Sequence, residues 1–149
     1  MRAVVQRVEK ASVEVDGKTV SSIGAGLLAL VGFHRDDTSD DCEYIINKIL
    51  NLRIFEDDGR MMNLSLLECG RELLIVSQFT LYGDARKGRR PSYSDAMPPD
   101  AAREFYQNFL ELFKSRYDRT QSGIFGVDMK VSLVNSGPVT IMLDSRRLF

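Results

Sequence analysis

The order of strand-like and helix-like segments constrains the fold of this chain more than any other feature of its sequence. Apolar and polar residues alternate over residues 2–8, 11–15, 127–133 and 139–143, which is typical of strands with one buried face. Only two stretches have helical spacing. Because strands mostly follow strands, we predict an α+β fold with a mainly antiparallel, barrel-like sheet and two main helices.

Turn and cap residues divide the chain further. Asp16-Gly17 separates two alternating segments and predicts a hairpin, because both residues tolerate the positive φ of a type I′ turn. The apolar run over residues 26–33 predicts a strand buried on both faces. One helix is predicted over residues 39–52, and another begins at Pro98-Pro99-Asp100. The second helix has an apolar stripe of Ala102, Phe105, Tyr106, Phe109, Leu112, Phe113 and Tyr117.

Length, charge and rare residues exclude several classes of function. The 149 residues fit one domain, residues 1–149, and a net charge of -1 excludes nucleic-acid binding through overall positive charge. The single histidine, His34, excludes a multi-histidine metal site, and Cys42 and Cys69 are spaced for neither a disulfide framework nor zinc. We therefore expect no cofactor and no metal. No apolar run approaches the ~20 residues of a membrane helix, so we expect a cytoplasmic protein.

Polar residues end the strand that is predicted over residues 72–82. Its apolar start is followed by Ser77, Gln78, Phe79 and Thr80. In a strand, Ser77 and Phe79 face one side and Gln78 and Thr80 the other. The pattern is most typical of a strand that leaves the core with solvated side chains. It also fits hydrogen-bonding groups at the mouth of a pocket, although no general base neighbours Thr80 in the sequence.

Gly137 and Pro138 lie between two alternating segments near the C-terminus. Proline has no amide hydrogen for a strand ladder, so it belongs at an edge, a bulge or a break. With Asn135 and Ser136 before them, these residues favour a hairpin turn. The alternative is a rigid tip whose backbone carbonyls contact a ligand.

Two further groups could bind nucleic acid. A basic loop contains Arg86, Lys87, Arg89 and Arg90. Such a loop is usually just solvated, but it can also bind phosphates with salt-sensitive affinity. Phe125 and Met129 fit a core position and could also stack on a base. We expect His34 at a strand end rather than in a catalytic site.

Together, SQFTLYGDARKGRRPS and FGVDMKVSLVNSGPVTI closely resemble the D-aminoacyl-tRNA deacylase family. QRVEKASVEVDG, IGAGLLALVG, RIFEDDGRMMNLS and PPDAAREFY are also similar, so the resemblance covers essentially the whole chain. It implies a barrel-like domain that forms a tight homodimer with active sites at the interface. The implied activity is hydrolysis of the ester bond of D-aminoacyl-tRNA and of glycyl-tRNA mischarged on tRNA(Ala), with rejection of L-aminoacyl-tRNA.

The resemblance also implies roles for individual residues. The four residues from Ser77 to Thr80 would line the pocket around the scissile ester. Gly137 and Pro138 resemble the Gly-cisPro element that enters the partner subunit's pocket, and Arg7 resembles the arginine that braces it. Ser136 stands where the family usually has aspartate, so the segment before Gly137 lacks that carboxylate.

The tRNA would be held at its acceptor end. Phe125 and Met129 match family positions around the terminal adenine, and the basic loop would meet phosphates. Two other classes of protein remain as alternatives. One is a non-catalytic RNA- or DNA-binding module that uses the same groups. The other is a metabolic esterase or peptidase with a catalytic thiol or triad, which the lone histidine and the lack of a Gly-x-Ser-x-Gly motif disfavour.

Overall fold

The computed structural model describes residues 1–148, and at residue 60 it describes the backbone only. The strands are β1 (Arg2–Val15), β2 (Lys18–Ile23), β3 (Gly26–Gly32), β4 (Phe55–Asp57), β5 (Arg60–Leu64), β6 (Glu72–Ser77), β7 (Thr120–Ser122) and β8 (Lys130–Asp144). The helices are α1 (Ser39–Asn51), α2 (Leu66–Cys69) and α3 (Pro99–Arg116), with a 3₁₀ turn at Phe79–Tyr82.

The long strand β1 organises a six-stranded sheet in the order β2-β1-β3-β6-β7, and β8 also pairs with β1. The first half of β1 pairs with β3, its second half pairs with β2, and β8 runs antiparallel to both halves. The strand β2 comes back beside β6 and β7, so the sheet is nearly closed. The predicted α+β fold with a barrel-like sheet is therefore confirmed.

The sheet is mixed rather than purely antiparallel. The strand β6 runs parallel to both β3 and β7. This direction follows from the long connections, since α1 lies between β3 and β6, and α3 lies between β6 and β7. The two main helices are those predicted, and α2 is an additional single turn.

Local signals predicted several elements correctly. Asp16 and Gly17 have φ values of 50° and 76° and join β1 to β2. Thr38 precedes α1, where its amide donates to the carboxylate of Asp41 at 2.8 Å, as in a capping box. The second helix begins at Pro99, one residue into the predicted Pro-Pro-Asp start. Pro99 suits the first turn of a helix, where an amide hydrogen would have no carbonyl partner, because proline has no amide hydrogen.

The core has two parts, one on each side of β3 and β6. Leu27 and Leu73 belong to the larger cluster, in which α1 and α3 also bury apolar side chains. Their neighbours Leu28 and Leu74 belong to the smaller cluster on the opposite side of the sheet. The prediction that residues 26–33 are buried on both faces is therefore confirmed.

The strand predicted over residues 72–82 ends earlier, at Ser77. The amide of Gln78 still donates to the carbonyl of Val31 at 2.6 Å, and the chain then turns into the 3₁₀ segment. Close approach at Gly32 makes this turn possible, because a Cβ atom there would lie 2.7 Å from the Gln78 carbonyl oxygen. The prediction that Phe79 and Thr80 lie in a strand is therefore wrong.

The prediction of a hairpin turn at Asn135–Pro138 is also wrong. The chain continues in one direction, and β8 pairs with β1 on both sides of this segment. Val8 pairs with Asn135 and Gln6 with Thr140, so the residues between Asn135 and Thr140 bulge out of the ladder. The strand predicted from residue 127 begins at Lys130, and the predicted loop over 119–126 contains β7.

Among the described residues, the structure has no helix that is both long enough and apolar enough to cross a membrane.

Candidate active site

A cavity of about 880 Å³ lies where β3 and β6 end. Its floor includes Val31 and Val76 from the two strands, and one wall is formed by Ser77, Gln78 and Phe79. The opposite walls come from the start of α3 and from the segment over residues 125–129, which contributes Phe125, Gly126, Val127, Asp128 and Met129. The cavity thus brings together five of the residues predicted for the site, Ser77, Gln78, Phe79, Phe125 and Met129.

The 3₁₀ turn begins with Phe79, which lies at the rim of this cavity. Phe79 is 59% exposed, and its ring contacts that of Tyr93 with 5.1 Å between centroids. Thr80 is exposed and is not among the lining residues, but its hydroxyl accepts a hydrogen bond from the Gln78 side-chain amide. The first hydrogen bond of the turn runs from the Leu81 amide to the Gln78 carbonyl, so the amides of Phe79 and Thr80 precede it.

Phe125 and Met129 form the apolar side of the cavity. The ring of Phe125 packs against that of Tyr106 at 5.6 Å, and the Arg103 guanidinium lies 5.2 Å from the Phe125 centroid. Met129 fits because Gly123 has no side chain, since a Cβ atom there would lie 2.7 Å from the Met129 sulfur. Both residues are partly buried, as a surface for stacking a flat group requires.

The cavity is poor in ionisable groups. Among the described residues that line it, only Tyr93 and Asp128 can ionise. No group of three or more histidine, cysteine or acidic residues in the described chain could hold a metal ion. The thiol of Cys42 lies in the core, where burial raises its pKa to about 12.

His34 lies at a strand end, as expected, but it is buried. Its Nδ1 atom accepts from the Asp36 amide at 3.1 Å and lies 2.8 Å from an Arg146 guanidinium nitrogen. Its ring packs edge-on against Tyr82 at 5.4 Å. These contacts involve Nδ1 and the ring, and the residue does not line the cavity.

The Gly137–Pro138 segment forms an exposed tip on β8. The peptide bond between the two residues is cis. Arg7 supports the tip from below: its Nε donates to the Ser136 carbonyl at 3.1 Å, and a terminal nitrogen donates to the Ile54 carbonyl at 2.7 Å. Gly137, Pro138 and Arg7 do not line the cavity of their own chain.

The basic loop is exposed and its four cations are not equivalent. Arg86 donates to both carboxylate oxygens of Asp84, at 2.9 and 2.8 Å. These hydrogen bonds lower the pKa of Asp84 to about 2. Lys87, Arg89 and Arg90 form no ion pair within residues 1–148, so their charges are the ones available to an anion.

Sequence reasoning missed Tyr93 and Asp128. Tyr93 lies in a loop of polar and basic residues, where nothing in the local pattern distinguishes it from other exposed side chains. Asp128 interrupts an apolar segment next to Met129, and a lone acidic residue in a loop is normally solvated. Only the packing of the loop and the 125–129 segment against the strand ends brings them to the cavity.

Comparison with known proteins decides the family. Residues 4–144 match the family model described as D-Tyr-tRNA(Tyr) deacylase. The chain belongs to this family. The D-aminoacyl-tRNA deacylases of Thermosipho africanus and Kosmotoga olearia are 57% and 56% identical to it, over the full length of both chains. The predicted family and the prediction of a hydrolase are therefore confirmed.

Solved structures of similar proteins have the same fold. The c-Myc DNA Unwinding Element Binding Protein is 44% identical, with a TM-score of 0.93 over 97% of this chain and 98% of that one. A probable eukaryotic D-amino acid tRNA deacylase has a TM-score of 0.84 over 95% and 97% of the two chains. At 21% identity, the second likeness supports the family's fold alone.

Proposed function

We propose that this deacylase hydrolyses the ester bond between tRNA and a D-amino acid or glycine, including glycine mischarged on tRNA(Ala), and rejects L-aminoacyl-tRNA. The observation that carries the proposal is a mostly apolar cavity that Ser77, Gln78 and Phe79 line on one side and that contains few ionisable side chains. Such a site suits a substrate that needs orientation and charge stabilisation rather than a strong protein base.

The substrate supplies much of its own reactivity. An aminoacyl ester on a ribose is an activated acyl group, and the substrate's ammonium group withdraws electrons from it. In this mechanism the neighbouring ribose hydroxyl orients or activates the attacking water. Ser77, Gln78 and Phe79 position the ester, and the amides of Phe79 and Thr80 donate to the oxyanion. The Thr80 hydroxyl is a hydrogen-bonding group, and a covalent nucleophile at that position is the alternative.

Discrimination between D and L rests on the Gly137–Pro138 tip. Its carbonyl oxygens bind the substrate's ammonium group, while the ester carbonyl is held at the 3₁₀ turn. With both groups fixed, the side chain of a D-amino acid points into open space and that of an L-amino acid runs into backbone. Rejection is then steric and does not depend on which side chain is present. Glycine is accepted because it has no side chain that could clash.

The tip acts on the cavity of a second copy of the chain. This part of the proposal is supported by the position of Gly137 and Pro138, which are exposed and do not line their own cavity. Exposed apolar side chains on the same strand, Val134 and Met142, suit a surface that becomes buried in a homodimer. The active sites would therefore lie at the interface between protomers.

The tRNA binds through its acceptor end. The terminal adenine stacks between Phe125 and Met129 in the apolar part of the cavity. Lys87, Arg89 and Arg90, with a smaller share from Arg86, neutralise phosphates. No cofactor or metal takes part, and the enzyme works in the cytoplasm, where aminoacyl-tRNA is made and used.

A paired deacylation assay tests the proposal. D-tyrosyl-tRNA and L-tyrosyl-tRNA, labelled in the amino acid, are incubated with the enzyme, and release of the label is followed against spontaneous hydrolysis. We expect rapid release from the D substrate and none above background from the L substrate. Equal release from both, or none from either, would refute the proposed function.

A nucleic-acid-binding module is the second candidate. It is favoured by one observation, the likeness to a protein named for binding a DNA element at 44% identity. The basic loop could serve that role, but the tip and the polar rim of the cavity would then have no purpose. The same assay separates the two, because a binding module releases no amino acid from either substrate.

A further inference from the structure

We propose that Arg2 is a positioning residue for the reaction: its guanidinium, held by buried Asp144, supports the 3₁₀ turn Phe79–Tyr82 and so sets the orientation of the turn's first amides at the edge of the cavity. The inference rests on the proposed function, because the proposed function assigns those amides their role in catalysis. Arg2 is far from the turn in sequence and does not line the cavity.

Arg2 is anchored on one side by a fixed carboxylate. Its Nε donates to Asp144 Oδ2 at 3.1 Å, and the Asp144 side chain is only 2% exposed. The second oxygen of Asp144 accepts from the Arg146 amide at 2.7 Å. With both oxygens engaged and little room to move, the carboxylate gives the guanidinium one orientation.

On its other side Arg2 holds the end of the 3₁₀ turn. A terminal nitrogen of the guanidinium donates to the Leu81 carbonyl at 2.9 Å. The continuing turn would have used the Asp84 amide as donor to that carbonyl, but this amide donates to the Ser92 carbonyl at 2.7 Å instead. Arg2 therefore takes over a carbonyl that the turn leaves without its regular partner.

The ring of Tyr82 adds a second contact between Arg2 and the turn. The Arg2 guanidinium carbon lies 4.6 Å from the ring centroid, within the range of a cation–π interaction. The ring of His34 packs against the same ring at 5.4 Å, and Tyr82 is buried. The last residue of the turn is thus fixed by Arg2 and by His34.

These contacts bear on catalysis because the turn has only four residues. Its start is fixed by the hydrogen bond from the Gln78 amide to Val31, and its end by Arg2 together with the packing of Tyr82 against His34. A short rigid segment held at both ends has one orientation, and that orientation sets where the amides of Phe79 and Thr80 point. Without Arg2 the Leu81 carbonyl loses its donor and the end of the turn is held less firmly, and a shift of about 1 Å at reacting groups can cost about 100-fold in rate.

The experiment compares Arg2→Met and Arg2→Lys with the wild type in single-turnover and steady-state deacylation of D-tyrosyl-tRNA. The control variant is Arg35→Met, which removes another arginine whose ion pair, with Asp95 at 3.5 Å, lies on the surface. We expect Arg2→Met to lower kcat about 10- to 100-fold with KM changed less than about 2-fold. Arg2→Lys keeps the charge but cannot donate to Asp144 and to the Leu81 carbonyl with the geometry of a guanidinium. We expect its kcat to fall about 3- to 10-fold.

A merely structural role predicts a different result. Arg2→Met would then lower the fraction of folded, active protein, while kcat per folded molecule would match that of Arg35→Met. Such a match, or an unchanged kcat in Arg2→Lys, would overturn the inference. If Arg2→Met does not fold, because Asp144 has lost its cation, Arg2→Lys decides alone. An inactive wild type would refute the proposed function, whereas an active wild type with fully active Arg2 variants refutes only the positioning role.

Discussion

The Nε atom of Arg7 lies 3.1 Å from the carbonyl oxygen of Ser136, the residue immediately before Gly137. A second nitrogen of the same guanidinium reaches the Ile54 carbonyl at 2.7 Å. The arginine side chain is 11% exposed, so it links the tip to the body of the protein with little freedom. This link is made to the backbone carbonyl of residue 136, so it does not require a carboxylate side chain at that position.

Replacing Arg7 with lysine should therefore loosen the tip. An ammonium group cannot reproduce the two directed hydrogen bonds of the guanidinium. We expect kcat/KM for D-tyrosyl-tRNA to fall about 10- to 100-fold, and hydrolysis of L-tyrosyl-tRNA to become measurable. Arg53→Lys is the control, because the exposed Arg53 also donates to a carbonyl, that of Asn63 at 2.6 Å, but does not contact the tip. An Arg7→Lys enzyme with full rate and selectivity would contradict the bracing role.

Gly137→Ala should abolish turnover. Gly137 has a φ of 123°, and an added Cβ atom would lie 2.7 Å from an Arg7 nitrogen and 2.9 Å from a Val139 methyl carbon. The matched control is Gly17→Ala, at a φ of 76° with no atom within 4 Å of the added carbon. We expect the free energy of unfolding of the control to fall by about 1 kcal/mol, and its activity to stay unchanged. Equal activity of the two variants would show that the tip is not needed.

Thr80→Ala distinguishes the two roles of the Thr80 hydroxyl. If it only accepts a hydrogen bond from Gln78, the variant should lose about 10-fold in kcat, and acid quenching of the wild type should trap no acyl-enzyme. Thr19→Ala, at an exposed position of β2, serves as control. Near-complete loss of turnover together with a trapped acyl-enzyme would instead establish a covalent nucleophile.

The terminal ribose hydroxyl should be essential. A D-tyrosyl-tRNA that lacks the hydroxyl next to the ester should bind with a similar KM but react at least about 100-fold more slowly, because the group that orients water is missing. Rates are compared after subtraction of spontaneous hydrolysis of each substrate. A deoxy substrate that is cleaved at the full rate would show that a protein group activates the water.

Asp84→Asn should strengthen tRNA binding. The pKa of Asp84 is lowered to about 2 by its hydrogen bonds with Arg86, so the carboxylate is charged and neutralises Arg86 at every working pH. Because the pKa of Asp84 is lowered, the Asp84–Arg86 ion pair is fully present at pH values above 3.8, the ordinary pKa of the carboxyl. The ion pair is lost only as the pH falls through about 2. The variant frees one cation, so the slope of log affinity against log salt should steepen by about 0.7–0.9.

Removing the unpaired cations should have the opposite effect. Lys87→Ala, Arg89→Ala and Arg90→Ala should each flatten the salt slope by about 0.7–0.9, uniformly across different tRNAs, and Arg86→Ala should flatten it less. Unchanged slopes in all four variants would remove the basic loop from the tRNA-binding surface.

Local sequence signals were enough for much of the fold. Asp16-Gly17 specified its turn through positive φ, and the start of α3 was specified by Pro98-Pro99-Asp100. The double burial of residues 26–33 followed from an unbroken apolar run. Each of these features depends on residues within one element, which is why a single sequence predicts them.

Contacts between distant segments were not predictable in this way. The early end of β6 depends on Gly32 admitting the Gln78 carbonyl, and the bulge before Thr140 depends on how β8 pairs with β1. Tyr93 reaches the cavity only because its loop folds back on the 3₁₀ turn. The resemblance to the deacylase family correctly predicted that Ser77, Gln78, Phe79, Phe125 and Met129 line one cavity. The roles of these residues, the homodimer and the single domain of residues 1–149 stay predictions.

Complementation between two impaired chains tests most directly whether the tip of one protomer serves the cavity of the other. One chain carries Gly137→Ala and the other carries Gln78→Ala with Thr80→Ala; they are co-expressed with different tags, and the mixed dimer is purified. If the tip acts across the interface, one of the two sites combines an intact cavity with an intact tip, and D-selective deacylation returns to about half the wild-type rate. A purified mixed dimer that is no faster than the faster of its two parents would contradict the proposal that handedness is read between protomers.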